Sequence, residues 1–409
     1  MQALTKYLIV AGVVTILPRV TTHAQEEVGT GMKAERGGER IVLDGVDRYR
    51  VCEPLFECVR VVLSYRGEQY SAEYIQGICG AAFRIAGICP CAPTSSSAMW
   101  TADLPSLLGY DVKHTTLKAC GATWQQLGEL AKQAKPERLP DEDELSTPEL
   151  RQLRAHLVDM VSQVKAEVRN GRPAILWNAF TTAEFDVVTG FDESKGELIG
   201  RGSYAGTGEE YATAKQFRTL RAAFVGGWPA AILIGEKTGT FDSRKAEAAA
   251  LREAVRHAHS TRNHDKLAEK DWCLLEGLSC YDRWVKDFGK PDKKRTSGDA
   301  YCYSVYRSTH RAAAGFLREI APKYPAARAH LDRAAGHFQA EADALDQAET
   351  LLSRKSPKGP DPERNQKATA ILARARDEYA AGIRDIEKAL TVIDATNETA
   401  GTVASPEKH

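Results

Sequence analysis

The sequence carries no net charge, because its 55 lysine and arginine residues balance 55 aspartate and glutamate residues. A protein without an excess of positive charge has no overall field that attracts nucleic acid or an anionic membrane. We therefore expect no nucleic-acid partner. The sequence also has no apolar run of spanning length beyond its first residues. This predicts that no integral membrane segment remains once a signal has been cleaved.

The first 24 residues have the order of a cleavable secretory signal. Lys6 is followed by an uncharged run to Leu17, then by Pro18 and the small-residue site Thr22-His23-Ala24. The run is shorter than the roughly 20 apolar residues that a membrane helix needs. Cleavage after Ala24 predicts an exported protein, periplasmic or extracellular. The residue directly after the cleavage site is Gln25 and not a cysteine, so a lipid anchor is not expected.

Nine cysteines in an exported chain permit disulfides, and their odd number leaves at least one unpaired in a monomer. Six fall in the first half of the chain, at Cys52, Cys58, Cys79, Cys89, Cys91 and Cys120. A disulfide of Cys52 with Cys58, Cys89 or Cys91 is one interpretation of these residues. The chain lacks a second Cys/His pair at zinc-finger spacing beside them, so no metal or other cofactor is predicted.

The length that remains after the signal suits two domains. Residues 25–40 are rich in Gly, Glu and Lys without an apolar period, which predicts a solvated linker. Residues 41–238 then place helices first and antiparallel strands later, including strands over 174–177, 185–191, 197–202 and 230–234. This order indicates an α+β domain.

A helical domain is predicted over residues 239–398, followed by a disordered tail over 399–409. Apolar residues recur every seven positions on two segments joined by a turn at 356–362. They are Leu331, Phe338, Leu345 and Leu352 on the first, and Leu372, Tyr379, Ile386 and Ile393 on the second. This spacing predicts an antiparallel helical hairpin within a bundle.

Two cysteines stand near the start of the first predicted helix, which spans residues 53–66. A thiol at the positive end of a helix has a lowered pKa and forms a nucleophilic thiolate. Cys52 and Cys58 are therefore the candidate nucleophiles. Cys58 also lies one helical turn from Leu55 and Val62, so it is equally well interpreted as a core thiol.

Residues 184–192, Glu-Phe-Asp-Val-Val-Thr-Gly-Phe-Asp, resemble the strand that carries the catalytic histidine in the bacteriocin-leader-processing peptidases, a papain-like family. Gly171-Arg172-Pro173-Ala174-Ile175 resembles the strand before it, and residues 52–67 resemble the cysteine helix. The resemblance implies a papain-like fold with a thiol at a helix tip facing the start of the strand.

The span from Ile41 to Ile234 is more similar still to the N-terminal domain of the butirosin-biosynthesis acyltransferase group and its bacterial relatives. Residues 77–84, Gly-Ile-Cys-Gly-Ala-Ala-Phe-Arg, resemble a glycine-rich segment of those relatives. This resemblance implies either acyl transfer through cysteine or no established activity.

The chain departs from the peptidase pattern at one position, where Glu184 replaces the histidine. Glutamate can accept a proton, but it cannot become the imidazolium that holds a thiolate as an ion pair. Glu184 is thus a candidate base of an unusual kind, or catalysis has been lost. Glu184 and Asp186 share one side of a strand, where such acids are as often solvated as functional.

Three functions follow from these observations. The first is an exported papain-like domain, degenerate as a peptidase, that binds a peptide or a small amine-bearing ligand. The second is a working thiol hydrolase or acyltransferase with Cys52 or Cys58 as nucleophile and Glu184 as the group that orients or deprotonates it. In the third, the helical domain is an interaction module for a protein partner.

Overall fold

An antiparallel sheet and a set of long helices make up the described part of the chain. The computed structural model describes residues 32–35, 39–51, 54–86, 103–134, 138–260 and 275–403, and all of these belong to one compact unit. The fold is of the mixed α+β class, as the order of sequence patterns predicts. The predicted signal over residues 1–24 lies outside the described residues.

The strands and helices follow one another in chain order. The strands are β1 (Met32–Glu35), β2 (Arg40–Leu43), β3 (Tyr110–Thr116), β4 (Ala174–Trp177), β5 (Phe185–Asp192), β6 (Glu197–Arg201), β7 (Ala212–Lys215) and β8 (Ala230–Lys237). The helices are α1 (Pro54–Tyr65), α2 (Ala72–Ile78), α3 (Leu104–Leu107), α4 (Trp124–Gln133), α5 (Pro148–Arg169), α6 (Ser243–Ala258), α7 (Gly277–Phe288), α8 (Ser297–Ile320), α9 (Arg328–Gln347), α10 (Glu349–Leu352) and α11 (Pro362–Val403).

All strand pairs of the sheet are antiparallel, and β5 lies at its centre. Along one edge of β5, its first half pairs with β4 and its last three residues pair with β2. Its other edge pairs with β6, which in turn pairs with β7. Beyond β4 lie β8 and then β3. The start of β5, at Phe185, is thus flanked by β4 and lies beside α1.

The helix α5 shows why apolar spacing predicts helices well in this chain. Thr147 caps it by accepting a hydrogen bond from the backbone N–H of Leu150, and Pro148 occupies the first turn, where a missing N–H costs nothing. Its buried side chains recur every three or four residues and face the sheet. They are Leu150, Leu153, Leu157, Met160, Val161, Val164, Lys165 and Val168.

The long helices pack against the first half of the chain as well as against each other. Helices α9 and α11 form the predicted hairpin, and α8 packs against α9 and α2. The predicted domain boundary after residue 238 falls between β8 and α6, and one continuous hydrophobic core runs across it. A methyl group at Gly77 would overlap the ring of Phe316, so α2 and α8 are in close contact.

Polar side chains of the helical half also bind the backbone of residues 83–86. The Tyr379 hydroxyl donates to Phe83 O at 2.9 Å, and His310 Nε2 lies 3.0 Å from Arg84 O. The Ile85 N–H donates to His257 Nε2 at 3.0 Å. Tyr306 bonds both backbone groups of Ala86. Because buried backbone groups must be paired, these bonds fix the segment inside the helical half.

Several elements differ from the sequence predictions. Residues 25–40, interpreted as a solvated linker, contain β1 and the first residue of β2, because pairing of β1 with β2 supplies hydrogen bonds that composition does not reveal. The strand β7 and the short 3₁₀ helix over residues 218–225 were not predicted. Residues 399–403 continue α11, although a disordered tail was expected there.

No helix within the described ranges is long and apolar enough to cross a membrane.

Candidate functional site

The thiol of Cys58 lies on the inner side of α1, against the start of β5. Its Sγ atom is 3.4 Å from the carbonyl oxygen of Phe185 and 3.2 Å from the hydroxyl oxygen of Tyr49. The side chain is fully buried between helix and sheet. Cys58 is therefore brought beside the residue that follows Glu184, as the resemblance implies, but its sulfur faces the core.

Burial raises the pKa of the Cys58 thiol well above its usual value, because a thiolate loses solvation in the core. The negative charges of Asp186, Glu57 and Glu184 raise the pKa further, while the hydrogen bond to Tyr49 acts in the opposite direction. A nucleophilic cysteine needs the reverse arrangement, with a lowered pKa and access to solvent. This environment argues against Cys58 as a nucleophile and agrees with its interpretation as a core thiol.

Tyr49, which precedes α1 in the sequence, contacts the Cys58 thiol through its hydroxyl group. Its hydroxyl donates a hydrogen bond of 3.1 Å to Arg201 O at the end of β6, and burial raises its own pKa well above its usual value. The Arg201 guanidinium in turn binds the carbonyl oxygens of Gly206, Gly208 and Glu210. Tyr49 and Arg201 thus join the helix, β6 and the following loop into one rigid support.

Asp186 is the unexpected residue of the site. Its carboxylate is fully buried, and Oδ2 accepts hydrogen bonds from the backbone N–H groups of Phe180 at 2.6 Å and Thr181 at 2.8 Å. Among the described residues, Oδ1 accepts no hydrogen bond. Burial raises the pKa of Asp186 to about 7, although these two hydrogen bonds favour the ionised form. The interpretation of Asp186 as a solvated strand acid is wrong.

The connection between β4 and β5 is held in a strained conformation by Asp186 and Arg218. Asn178 and Ala183 both have positive φ, at 59° and 60°, which is unfavourable for residues other than glycine. The Asn178 side chain accepts a hydrogen bond from the Ala183 N–H at 2.9 Å. Arg218 donates to Asn178 O at 2.7 Å and to Thr182 Oγ1 at 3.0 Å. Such strain persists only where the surroundings fix the backbone, so this loop is preorganised.

Glu184 closes that loop directly before β5. Its carbonyl oxygen accepts a hydrogen bond of 2.6 Å from the Asn178 N–H, and its side chain is partly exposed. Its charge also reaches Cys58, where it raises the thiol pKa. Cys58 itself contacts the backbone of the next residue, Phe185. A carboxylate at this position opposes thiolate formation, whereas the imidazolium of the peptidase pattern favours it.

The other predicted nucleophile, Cys52, lies outside the described residues, as do Cys89 and Cys91. Cys58 is a free thiol, so the suggested disulfide between Cys52 and Cys58 does not form. Cys79, Cys280 and Cys302 are buried, and Cys120 is a free, partly exposed thiol. Within the described ranges, no group of three His, Cys, Asp or Glu side chains could hold a metal ion.

Sequence reasoning missed three contributors to this site, namely Tyr49, Asn178 and Arg218. Tyr49 precedes α1 in an irregular segment, and Asn178 and Arg218 stand in or after loops, where no periodicity marks a residue. Only the Asn-Ala-Phe-Thr-Thr-Ala run between two strands gave a local signal, since asparagine tolerates a left-handed backbone. That signal marks a turn and says nothing about which side chains it supports.

Neither the known family models nor the curated proteins give a match to this chain. The resemblance to papain-like domains therefore rests on the residues of the cysteine helix and of β5.

Proposed function

We propose that this chain is an exported protein of papain-like fold that binds a peptide or a small amine-bearing ligand beside Glu184 and does not use Cys58 for catalysis. One observation carries the proposal: the Cys58 thiol is enclosed by Tyr49, Phe185 and the helix itself, in surroundings that raise its pKa. A peptidase of this fold needs a thiolate, and this arrangement disfavours one.

The papain-like part of the proposal is supported by the position of α1. A cysteine-bearing helix lies against the first residues of the central strand of an antiparallel sheet, and Glu184 stands at the start of that strand. The resemblance implies a thiol at the tip of this helix, whereas Cys58 lies in the second turn of α1. Glu184 stands where the peptidase pattern has its histidine.

Ligand binding is supported by the way Glu184 is presented. The strained loop over residues 178–184 is fixed by Asp186 and Arg218, so the partly exposed carboxylate is held on a rigid element. A preorganised carboxylate binds an ammonium group through charge-assisted hydrogen bonds without a further cost of ordering. A free amine is therefore the functional group that this position suits.

The test compares tetrapeptides that have a free N-terminal amine with the same peptides after N-acetylation, by isothermal titration calorimetry. We expect binding of free-amine peptides to weaken about tenfold or more on acetylation and on Glu184→Gln, since each change removes one charge of the pair. The matched control is Glu363→Gln, which changes an exposed glutamate on α11 and is expected to leave binding unchanged. Equal affinity of free and acetylated peptides would contradict the proposal.

A second experiment separates this function from a thiol enzyme. The folded, non-reduced protein is treated with iodoacetamide between pH 5 and pH 9, and the labelled positions are found by mass spectrometry. We expect Cys58 to stay unlabelled until the protein unfolds, because its sulfur is enclosed. Rapid labelling of Cys52 below pH 7, together with turnover of a peptide that a Cys52→Ala variant lacks, would replace the binding function by an enzymatic one.

A further inference from the structure

Three of the large apolar side chains exposed in the described part of the chain cluster on one face. Trp124 is 49% exposed, Phe224 is 59% exposed and Val225 is 44% exposed. Trp124 packs on Trp228 with ring centroids 4.4 Å apart, and Trp228 follows Val225 by three residues. Soluble proteins rarely leave aromatic residues exposed together, and such groups mark interaction surfaces.

A groove with a cavity volume of about 510 Å³ adjoins this cluster, and Phe224 forms part of its wall. Ala131 of α4, Phe217 and Leu220 supply further apolar lining. Lys215, Arg218 and Arg221 supply three positive charges, and the described lining residues include no carboxylate. The volume suits one large side chain with its flanking backbone, within the range of known binding pockets.

The three cations of the groove differ in how far their charges are already compensated. Lys215 pairs with Glu197 at 3.1 Å, and Arg218 is engaged with the loop over residues 178–182. Arg221 is exposed and has no hydrogen-bond or ion-pair partner among the described residues. Its charge lies close enough to Arg218 to disfavour the charged form of that guanidinium. An acidic group bound between them relieves this repulsion.

The face is built on rigid elements. A capping box of Thr123 and Gln126 begins α4 one residue before Trp124, and α4 packs against the 3₁₀ helix over residues 218–225. Gly226, with φ of 77°, ends that helix and turns the chain toward Trp228. Exposed aromatic side chains on rigid supports lose little conformational freedom when they are covered.

We propose that this surface, formed by Trp124, Phe224, Val225 and the groove beside them, binds an acidic protein segment that inserts one large apolar side chain. The apolar lining receives the side chain, and Arg218 and Arg221 bind the flanking carboxylates. A concave groove of this volume favours a protein segment over a lipid surface, since a bilayer contacts protruding side chains and cannot fill a groove. Arg218 also supports the loop that carries Glu184, so the substitutions that test this surface are made at Phe224 and Arg221, outside that loop.

The test measures fluorescence anisotropy with a fluorescein-labelled 12-residue peptide made of Asp, Glu, Gly and Ser with one central Phe. We expect Phe224→Ser and Arg221→Glu each to weaken binding about tenfold or more, as anchor residues of interfaces do. The matched controls are Tyr204→Ser, which removes an aromatic side chain that is 58% exposed elsewhere, and Arg354→Glu, which reverses an exposed charge on the helical half. Both controls are expected to change the affinity by less than about twofold.

Comparison probes decide the outcome. A peptide with Ser in place of the central Phe and a peptide with Lys in place of Asp and Glu are both expected to bind about tenfold more weakly or not at all. Lack of binding by the acidic Phe peptide up to 1 mM overturns the proposal. Binding to phosphatidylglycerol vesicles that Phe224→Ser abolishes, without peptide binding, assigns the surface to lipid instead. Self-association in sedimentation velocity that the same variant abolishes assigns it to a second copy of the chain.

Discussion

Two fully buried carboxylates, Asp186 on β5 and Glu341 on α9, differ in the groups that contact them. Glu341 Oε1 accepts hydrogen bonds from His310 Nδ1 at 2.6 Å and from the Tyr281 hydroxyl. His310 Nε2 faces Arg84 O, so both ring nitrogens point at acceptors and must donate. The hydrogen bonds that Asp186 accepts within the described residues come from the backbone N–H groups of Phe180 and Thr181.

These different partners set the protonation states of His310 and Asp186. Burial alone lowers the pKa of His310, but the charge of Glu341 and the hydrogen bonds to Glu341 and Arg84 O outweigh it and raise the pKa. The helical half therefore contains a buried ion pair. Asp186 forms no ion pair within the described ranges, and burial raises its pKa to about 7 although the charge of Arg218 acts in the opposite direction. The comparison shows that burial alone disfavours a charged side chain. Whether a buried acid stays ionised depends on the charged and hydrogen-bonding groups around it.

The largest effect is expected when the ion pair is broken from one side. Glu341→Ala leaves His310 and Tyr281 buried without their acceptor, so we expect a loss of about 3–5 kcal/mol in the free energy of unfolding. Urea denaturation followed by circular dichroism measures it. Glu341→Gln keeps an acceptor for Tyr281 and should lose less.

The control for this prediction is a partly exposed pair between α9 and α11, in which His337 Nδ1 lies 2.7 Å from a carboxylate oxygen of Glu378. Glu378→Ala should lose no more than about 1 kcal/mol, because exposed ion pairs contribute little. Similar losses for Glu341→Ala and Glu378→Ala would show that burial of the first pair does not matter.

An intermediate effect is expected when the space around Asp186 is filled. A methyl group at Gly202 would overlap Asp186 Oδ1 and Thr181 Oγ1. We expect Gly202→Ala to lose about 2 kcal/mol in the free energy of unfolding, since tightly packed sites resist added volume. Gly208→Ala is the control, because no atom lies within 4 Å of the added carbon there. If Gly202→Ala were as stable as the control, Asp186 and Thr181 would not be tightly packed against Gly202.

The smallest expected effect is a change in how the free energy of unfolding depends on pH. With a folded pKa of about 7 and an unfolded value near 3.8, Asp186 holds its proton longer in the folded state, so its contribution to stability falls as pH rises between these values. As pH rises from 5 to 7, we expect the free energy of unfolding of Asp186→Asn to increase by about 1–2 kcal/mol relative to that of the natural protein. Chemical denaturation at each pH measures the difference.

His310 also makes the free energy of unfolding depend on pH, and the Asp186→Asn variant separates its contribution from that of Asp186. Its raised pKa gives stability that is present below its usual value of 6.5 and is lost as pH rises through the folded value. This loss should persist in Asp186→Asn. A difference between Asp186→Asn and the natural protein that does not change with pH would mean that Asp186 is ionised throughout.

Much of the architecture follows from local patterns. The heptads of α9 and α11 predict the two long helices of the hairpin, and the turn predicted over residues 356–362 ends where α11 begins. The strands β4 and β5 are likewise predicted within a residue of their observed ends. Each of these elements carries its own signal, because a buried face repeats along it.

The site was predictable only in part. The sequence marks Cys58 and Glu184 and allows two interpretations of the cysteine, and the structure places the Cys58 sulfur against Phe185, the residue after Glu184. It does not reveal Tyr49, Asn178 or Arg218, which reach the site from distant parts of the chain. Nor does it reveal β1, whose pairing with β2 overrides a polar composition.

What the sequence alone determined is the α+β class, the positions of β4 and β5 and the helical hairpin. Only the tertiary structure decided which side chains meet water. Alternation along β5 puts Glu184 and Asp186 on one side, yet Asp186 is enclosed by residues 180, 181 and 202, while Glu184 remains partly exposed. Solvation and charge partners depend on contacts between distant segments, and these set the pKa values on which chemistry depends.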